Sequence, residues 1–493
     1  MATCRRRDRV ARLTARAFAA LLAAGIASGG AHAASRYDPA LRFRILTTPH
    51  FAIYYHQGEE PLARRLAVVA ELVHVDLTTR LATRPRGRTH VVLVDQDDRA
   101  NGLSTPFPYD FVEIVAGPPP GSSLIGNTDD WLRLVFTHEY AHVLTLDRSE
   151  SFAAGLRRVF GRAPFVFPNL FQPAWQIEGI ATYAESALTG RGRLAAGDFR
   201  AIVAEPQRVG RLEPLDRAGG GLVPWPGGIT PYAYGGFFYR HLADQYGEAR
   251  IAQLAGVTAR GYYFLPGPAF SQVFGKPLGT LWREFQRTFP VPAVDDAGGP
   301  TGLRRLTAHG FQVESPRILA QGIAYALNDS HDFPSLMLVP ATGSAAPRRL
   351  AERYGGTRIT SDGRLLVFDQ VELSRSIALR SDLYSLDPDT RRVRRLTRDA
   401  RLVEPDVSPD GRSVACIRLV DGVRTLVVFD LAALRAGDGR RLPEPALAVR
   451  EADAQFGSPR WSPDGRLLVA ERWPLRASPE IVVVDVGTGQ VTT

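Results

Sequence analysis

Two hydrophobic periodicities divide the chain near residue 300. Before that point, short strand-like apolar runs are mixed with stretches whose apolar residues recur every three or four positions; beyond it only short alternating runs remain. Arg42 to Thr48 and Phe51 to His56 read as two strands split by Pro49. Glu59 to Ala82 carries a helical stripe at Leu62, Leu66, Val69, Leu72, Val73 and Leu77. Thr89 to Val94 is a strand, Asp97 to Gly102 has turn chemistry, and Phe111 to Ala116 is a further strand ended by Pro118-Pro119-Pro120. This pattern predicts a small mixed sheet with one packed helix. Trp131 to Leu146 is apolar with no Gly or Pro, and Asn127-Thr128-Asp129-Asp130 supplies its cap. Ser149 to Gly161 reads as an amphipathic helix, Ala163 to Pro173 as a Phe-rich loop packed over a site, and Ala174 to Leu188 as a second strong helix. Helices near Tyr232 to Tyr246 and Pro277 to Phe289 complete an α-rich lower half, and the Gly- and Pro-rich stretch from Gly219 to Pro231 is a loop that borders the cleft.

Beyond the Pro- and Gly-rich segment 290–302 a motif repeats. Ser361-Asp362-Gly363-Arg364, Ser408-Pro409-Asp410-Gly411-Arg412 and Ser462-Pro463-Asp464-Gly465-Arg466 each precede an alternating strand, with a degenerate earlier unit around Ala320-Gln321-Gly322. The aspartates stand 48 and 54 residues apart, a period that suits a propeller blade of short strands opened by an Asp-Gly turn. Residues 303–493 resemble TolB-like, WD-type β-propeller repeats, with about four blades visible. The last unit stops at Val491-Thr492-Thr493, where earlier ones read on, so the expectation is an incomplete propeller: a chain continuing past Thr493, or an open ring.

Charge and cysteine narrow the function classes. Residues 1–33 join a basic start (Arg5, Arg6, Arg7) to a short apolar core, Ala17 to Ala27, and an Ala31-His32-Ala33 cleavage site, which predicts a secretory signal peptide. That segment accounts for +5 of the formal +9, and the remaining +4 is spread without a basic run, so nucleic-acid binding is not indicated. No later segment has the length and apolarity of a transmembrane anchor. Cys416 alone remains after cleavage, so stability rests on core burial. The expected setting is export, to the periplasm or the extracellular space. The predicted domains are a signal peptide over 1–33, a first domain over 34–292, a linker over 293–302 and the repeats over 303–493.

The candidate chemistry lies in Thr137-His138-Glu139-Tyr140-Ala141-His142. Four residues apart on a helix, His138 and His142 present two ring nitrogens to one metal ion, with Glu139 placed as general base. Catalytic zinc takes three protein ligands. The best third ligand is Glu178, in Trp175-Gln176-Ile177-Glu178-Gly179-Ile180-Ala181, where small neighbours let two helices approach closely. His50, His56, His74, His90 and His241 stand singly and read as structural residues.

These two motifs resemble those of the gluzincin metallopeptidases, the peptidase-MA-like group related to thermolysin. The resemblance covers roughly residues 42–290 and implies an α+β zincin-like metallopeptidase domain followed by the all-β propeller. It further implies zinc (Zn2+) on His138, His142 and Glu178, with Glu139 as base in metal-assisted hydrolysis of a peptide bond. The strand 111–116 would then be the sheet edge that pairs with an extended substrate. Two departures stand out. The gap from His142 to Glu178 is 36 residues, and Thr182 occupies the place of the acid that orients a histidine in thermolysin-like sites. Glu185, on the same helical face as Glu178, is the candidate for that orienting role. Tyr232 and Tyr234 are candidate donors to a developing oxyanion.

Read this way, the chain is an exported zinc metallopeptidase with a peptide or protein substrate. Its propeller binds a protein partner or limits access to the cleft. Two other readings use the same residues: a noncatalytic propeller-based binding protein that keeps a metal site, and a zinc amidase acting on cell-wall peptide.

Overall fold

Five short strands and the helix crossing over them form the first layer. They are β1 (Arg44–Thr47), β2 (Phe51–Tyr55), β3 (Thr89–Val94), β4 (Gly102–Thr105) and β5 (Phe111–Val115), in the spatial order β1-β2-β3-β5-β4. The computed structural model describes residues 36–261, 266–291, 303–343, 345–355 and 358–493; the expected signal segment 1–33 and the linker 293–302 lie outside them. Residues 41–493 form one compact unit. β1 and β2 form an antiparallel hairpin, whereas β2 pairs with β3 in parallel. The connection between them is helix α1 (Glu60–Arg80), since parallel neighbours need a crossover. Leu66, Val69, Val73 and Leu77 of α1 are buried, but Leu72 faces solvent because it lies about 100° round the helix from Val73.

β5 pairs in parallel with β3 and antiparallel with β4. At this end of the sheet the edge strand is therefore β4, and the expectation that residues 111–116 form the edge is corrected. β5 is filled on both sides, and the four residues that cover it, Gly102–Thr105, are too short a run to read as a strand.

Helix α2 (Trp131–Leu146) is buried at every residue except Arg133, which makes it a central core helix enclosed all round. Asp130 caps it by accepting from the Arg133 amide at 3.3 Å, and the Trp131 indole donates to the Val115 carbonyl at 2.9 Å, tying the helix start to β5. Phe51, Phe136 and Tyr140 pack edge-on or stacked with centroids 5.3–5.4 Å apart, and the Tyr140 hydroxyl lies 2.6 Å from His74 Nδ1 on α1. His74 is thus a structural histidine joining two helices.

The rest of the first half is helical: α3 (Ser151–Phe160), α4 (Ala174–Thr189), α5 (Gly197–Arg208), α6 (Thr230–Tyr246), α7 (Glu248–Thr258), α8 (Gly267–Phe274) and α9 (Leu278–Thr288). Between α3 and α4 the Phe-rich segment forms two 3-10 turns. Phe167 is fully buried there, beneath the guanidinium groups of Arg157 and Arg162 at 5.0 and 5.2 Å, while Phe165 and Phe171 face solvent. α4 and α6 cross at van der Waals distance. A methyl on Gly235 would sit 2.0 Å from the Trp175 carbonyl oxygen, and one on Gly179 would sit 2.6 Å from the Gly235 carbonyl carbon.

From Gln312 the chain is a series of four-stranded antiparallel meanders: β6–β9 (residues 312–352), β10–β13 (359–395), β14–β17 (402–449, with the short helix α10, Leu431–Ala436, before its last strand) and β18–β21 (454–492). These are propeller blades. Apolar side chains of each blade pack against those of the next, as Leu336 and Leu338 do with Leu366 and Phe368. In the Asp-Gly turns that join the first two strands of a blade, Asp410 and Asp464 accept from the amides of Arg412 and Arg466 at 3.1 Å. The glycines Gly411 and Gly465 both have φ +71°.

The propeller is locked to the first half by buried polar contacts. Arg401 donates to both carboxylate oxygens of Asp95 at 2.8 and 2.9 Å and to Asp98 at 2.5 Å. Asp98 and Asp97 in turn accept from the Ser381 and Leu379 amides at 2.6 Å. Among the described residues, no helix is long and apolar enough to cross a membrane.

Candidate metal centre

One turn of α2 and one turn of α4 meet at a point that three ligand-type atoms share. His138 Nε2 lies 3.2 Å from His142 Nε2, and Glu178 Oε2 lies 3.4 Å from the first and 3.2 Å from the second. The spacing follows from the helix: positions i and i+4 stack on one face, and α4 presents Glu178 from the facing helix. Among the described residues His142 Nδ1 is buried without a hydrogen-bond partner, and the neighbours of the buried Glu178 Oε2 are the two imidazole nitrogens. Burial pushes the Glu178 carboxyl up, but the two imidazoles outweigh it and hold the group well below the usual range. Two imidazole nitrogens and a carboxylate oxygen aimed at one point form a donor set that suits a zinc ion.

Glu185, two turns along α4 from Glu178, reaches the other side of His138. Its Oε2 lies 2.8 Å from His138 Nδ1. A carboxylate only accepts, so Nδ1 carries the proton and Nε2 is directed at the three-atom cluster. Glu185 is 1 % exposed and is itself held by the Arg193 amide at 3.1 Å and the Arg193 guanidinium at 3.4 Å. Burial and Arg193 push His138 down, yet Glu178 and Glu185 outweigh them and raise it to about 9. Thr182, in place of the orienting acid, is fully buried with its hydroxyl 3.4 Å from Arg193.

Glu139 faces the sheet edge. Its Oε2 accepts from the Ser104 hydroxyl at 2.8 Å, and a methyl on Gly102 would lie 2.5 Å from its other oxygen. The edge strand thus runs directly beside the carboxylate. Tyr232 stacks at 6.1 Å from the His138 ring with the Arg193 guanidinium 4.8 Å over its own ring. Burial and the nearby Glu178 push its hydroxyl up to about 12.

Tyr234 does not belong to the group, which corrects the expectation for it. Two residues along a helix is about 200° of rotation, so if Tyr232 faces the cluster, Tyr234 faces away. It is 2 % exposed and stacks on Trp282 at 6.4 Å, inside the aromatic core of α6 and α9. The approach of small residues also differs from expectation: Gly179 packs against Gly235 of α6, not against α2. Ser104 and Arg193 escaped the sequence reading. The one signal for Arg193 was the glycine before it: Gly192 has φ +78° and lies under Glu185 and Ser186.

No protein-family model matches the chain. An uncharacterized protein of Treponema pallidum (strain Nichols) is 26% identical over 377 residues, which are 76% of this chain and 32% of that protein; the chain spans about a third of the length of the curated relative it matches. Among solved structures, TolB from Acinetobacter baumannii aligns over 37% of this chain and 43% of its own, at 20% identity and a TM-score of 0.29. TolB from Agrobacterium tumefaciens aligns over 34% of this chain and 59% of its own, at 21% identity and a TM-score of 0.27.

Proposed function

We propose that the chain is an exported zinc metallopeptidase of the gluzincin type, in which the propeller binds a partner or restricts the cleft. The observation that carries this reading is the convergence of His138, His142 and Glu178 on one point, with the carboxylate of Glu139, the residue after His138, held on the edge strand by Ser104. His138, His142 and Glu178 would hold a zinc ion, whose Lewis acidity would make water a nucleophile near neutral pH and polarise a carbonyl. Glu139 accepts the proton of the attacking water and returns it to the leaving amine. Ser104 holds one oxygen of that carboxylate and leaves the other turned toward Gly102. β4, at the end of its sheet among the described residues, offers its outer ladder edge to an extended peptide, so main-chain pairing delivers the scissile bond to Glu139. Tyr232 donates to the developing oxyanion, and Glu185 keeps His138 in the tautomer that binds metal.

The test is metal analysis of the exported chain and of Glu178→Ala, together with cleavage of a peptide library. One zinc per chain and cleavage, both lost in Glu178→Ala, is the expected result. A parent chain that holds zinc yet cleaves no peptide would leave a metal-bearing binding protein instead.

A further inference from the structure

A second group of ligand-type side chains lies where the propeller meets the first half of the chain. Glu59, Asp95 and Asp421 each direct a carboxylate oxygen to one place, and the three oxygens lie within 4.8 Å of one another. Glu59 stands at the N-terminus of α1 without capping it, and Asp95 follows the end of β3. Asp421 comes from the propeller, at the tip of the hairpin between β15 (Ser413–Val420) and β16 (Val423–Asp430).

The tip is built to hold that position. Asp421 and Gly422 have φ +54° and +64°, the two left-handed residues of a two-residue Asp-Gly hairpin turn. A methyl on Gly422 would meet the Leu62 side chain of α1 at 2.5 Å and Ala116 at 3.3 Å, so the turn is seated on the first half of the chain.

The charges in this place do not balance. Asp95 is 8 % exposed and Glu59 only 1 %, yet among the described residues Glu59 Oε2 has no hydrogen-bond partner. The facing cations are Arg401, shared between Asp95 and Asp98, and Arg450, 3.6 Å from the exposed side of Asp421. His56 contributes only an acceptor, its Nε2 taking the Asp95 amide proton at 3.0 Å. With Glu59 ionised, four carboxylates face two guanidiniums among the described residues, a deficit of two positive charges. A buried carboxylate without a partner is costly, and that cost is relieved by a cation.

We propose that Glu59, Asp95 and Asp421 form a calcium site that clamps the propeller to the first half of the chain. The donor set is all carboxylate oxygen with no His or Cys, which suits a hard cation. Oxygens that all lie within 4.8 Å of one another can reach a single Ca2+ with bonds of about 2.4 Å, and the exposed Asp421 leaves room for water to complete its shell. Mg2+ demands a tighter octahedral arrangement than an irregular set of three side chains from three elements offers.

The test is Ca2+ binding by the full chain at pH 7, followed by titration calorimetry and thermal melting. Asp421→Asn keeps the turn, because Asn adopts the left-handed conformation as readily, and Glu59→Gln removes the buried charge without changing shape. The expected result is one Ca2+ per chain with a rise in melting temperature, weakened roughly tenfold or more in each variant and unchanged in Glu178→Ala. No uptake at about 5 mM Ca2+ overturns the proposal, as does uptake that both variants leave intact. A Glu59→Gln chain that melts higher than the parent, with no response of either to Ca2+, would show that a proton rather than a metal fills the place.

Discussion

Replacing Gly235 with Ala tests whether the contact between α4 and α6 sets the position of Glu178. The added methyl would stand 2.0 Å from the Trp175 carbonyl oxygen and 2.9 Å from the Gly179 Cα, all rigid backbone that no rotamer change can clear. Ordinary contact begins near 3.4 Å, so the helices must part by about 1.4 Å at this point. Overpacking of this kind costs about 3 kcal/mol at the upper end of its range, and the helix propensity of Ala returns about 1 kcal/mol, for a net loss near 2 kcal/mol. Glu178 lies one residue from Gly179. Metal sites tolerate about 0.5 Å of displacement, so zinc affinity should fall by at least about tenfold. The assays are denaturant unfolding and zinc competition against a chromophoric chelator. Gly155→Ala in α3, where no atom lies within 4 Å of the new methyl, is the control and should be neutral or stabilised by up to about 1 kcal/mol. If Gly235→Ala matches Gly155→Ala in both assays, the close crossing does not position Glu178 and the reasoning fails.

Other outcomes follow from the same geometry. Glu185→Gln keeps the size of the side chain but loses its charge on His138, and zinc affinity should drop about 10- to 100-fold with the fold retained, measured by the same competition. Tyr232→Phe should lower kcat about 100-fold or more with little change in KM, whereas Tyr234→Phe should change stability and leave kcat alone; steady-state kinetics on one cleaved peptide separates the two. The metal-free chain should be pH-sensitive in a defined direction. His138 is raised from 6.5 to about 9, so the stability it contributes is complete below about pH 6.5 and is lost as pH rises through 9. Glu178 and Glu185 are held below their ordinary 4.5, and their contribution, present above that value, is lost as pH falls through their lowered values. Melting curves of the metal-free chain should therefore peak between about pH 4.5 and 6.5, and zinc uptake at pH 7 should release a proton.

Much of this arrangement was legible in the residues, because it rests on local rules. The i, i+4 histidines lie on a helix whose limits are marked by Asp130 and an unbroken apolar run, and the next strong helical run carries Glu178. The blades announce themselves through Asp-Gly turns at a regular period. What escaped depends on contacts between segments distant in sequence. Gly102–Thr105 is strand only because β5 offers it a ladder. Arg193 acts from a short turn whose sole sign is a glycine with positive φ. Tyr232 and Tyr234 share one aromatic pattern, and only the rotation of α6 against α4 and α9 decides which of them meets His138. Helices α5, α7 and α8 were missed for a related reason: α5 contains Pro206, α7 follows α6 after a single glycine, and α8 has eight residues.

The central claim is that Glu139 works as a base beside a zinc ion held by His138, His142 and Glu178. Its most direct test is zinc content and peptide-library hydrolysis measured side by side for the parent chain and Glu139→Gln. The account predicts one zinc per chain in both proteins and cleavage by the parent alone; equal cleavage by the two, or a parent that binds no zinc, would contradict it.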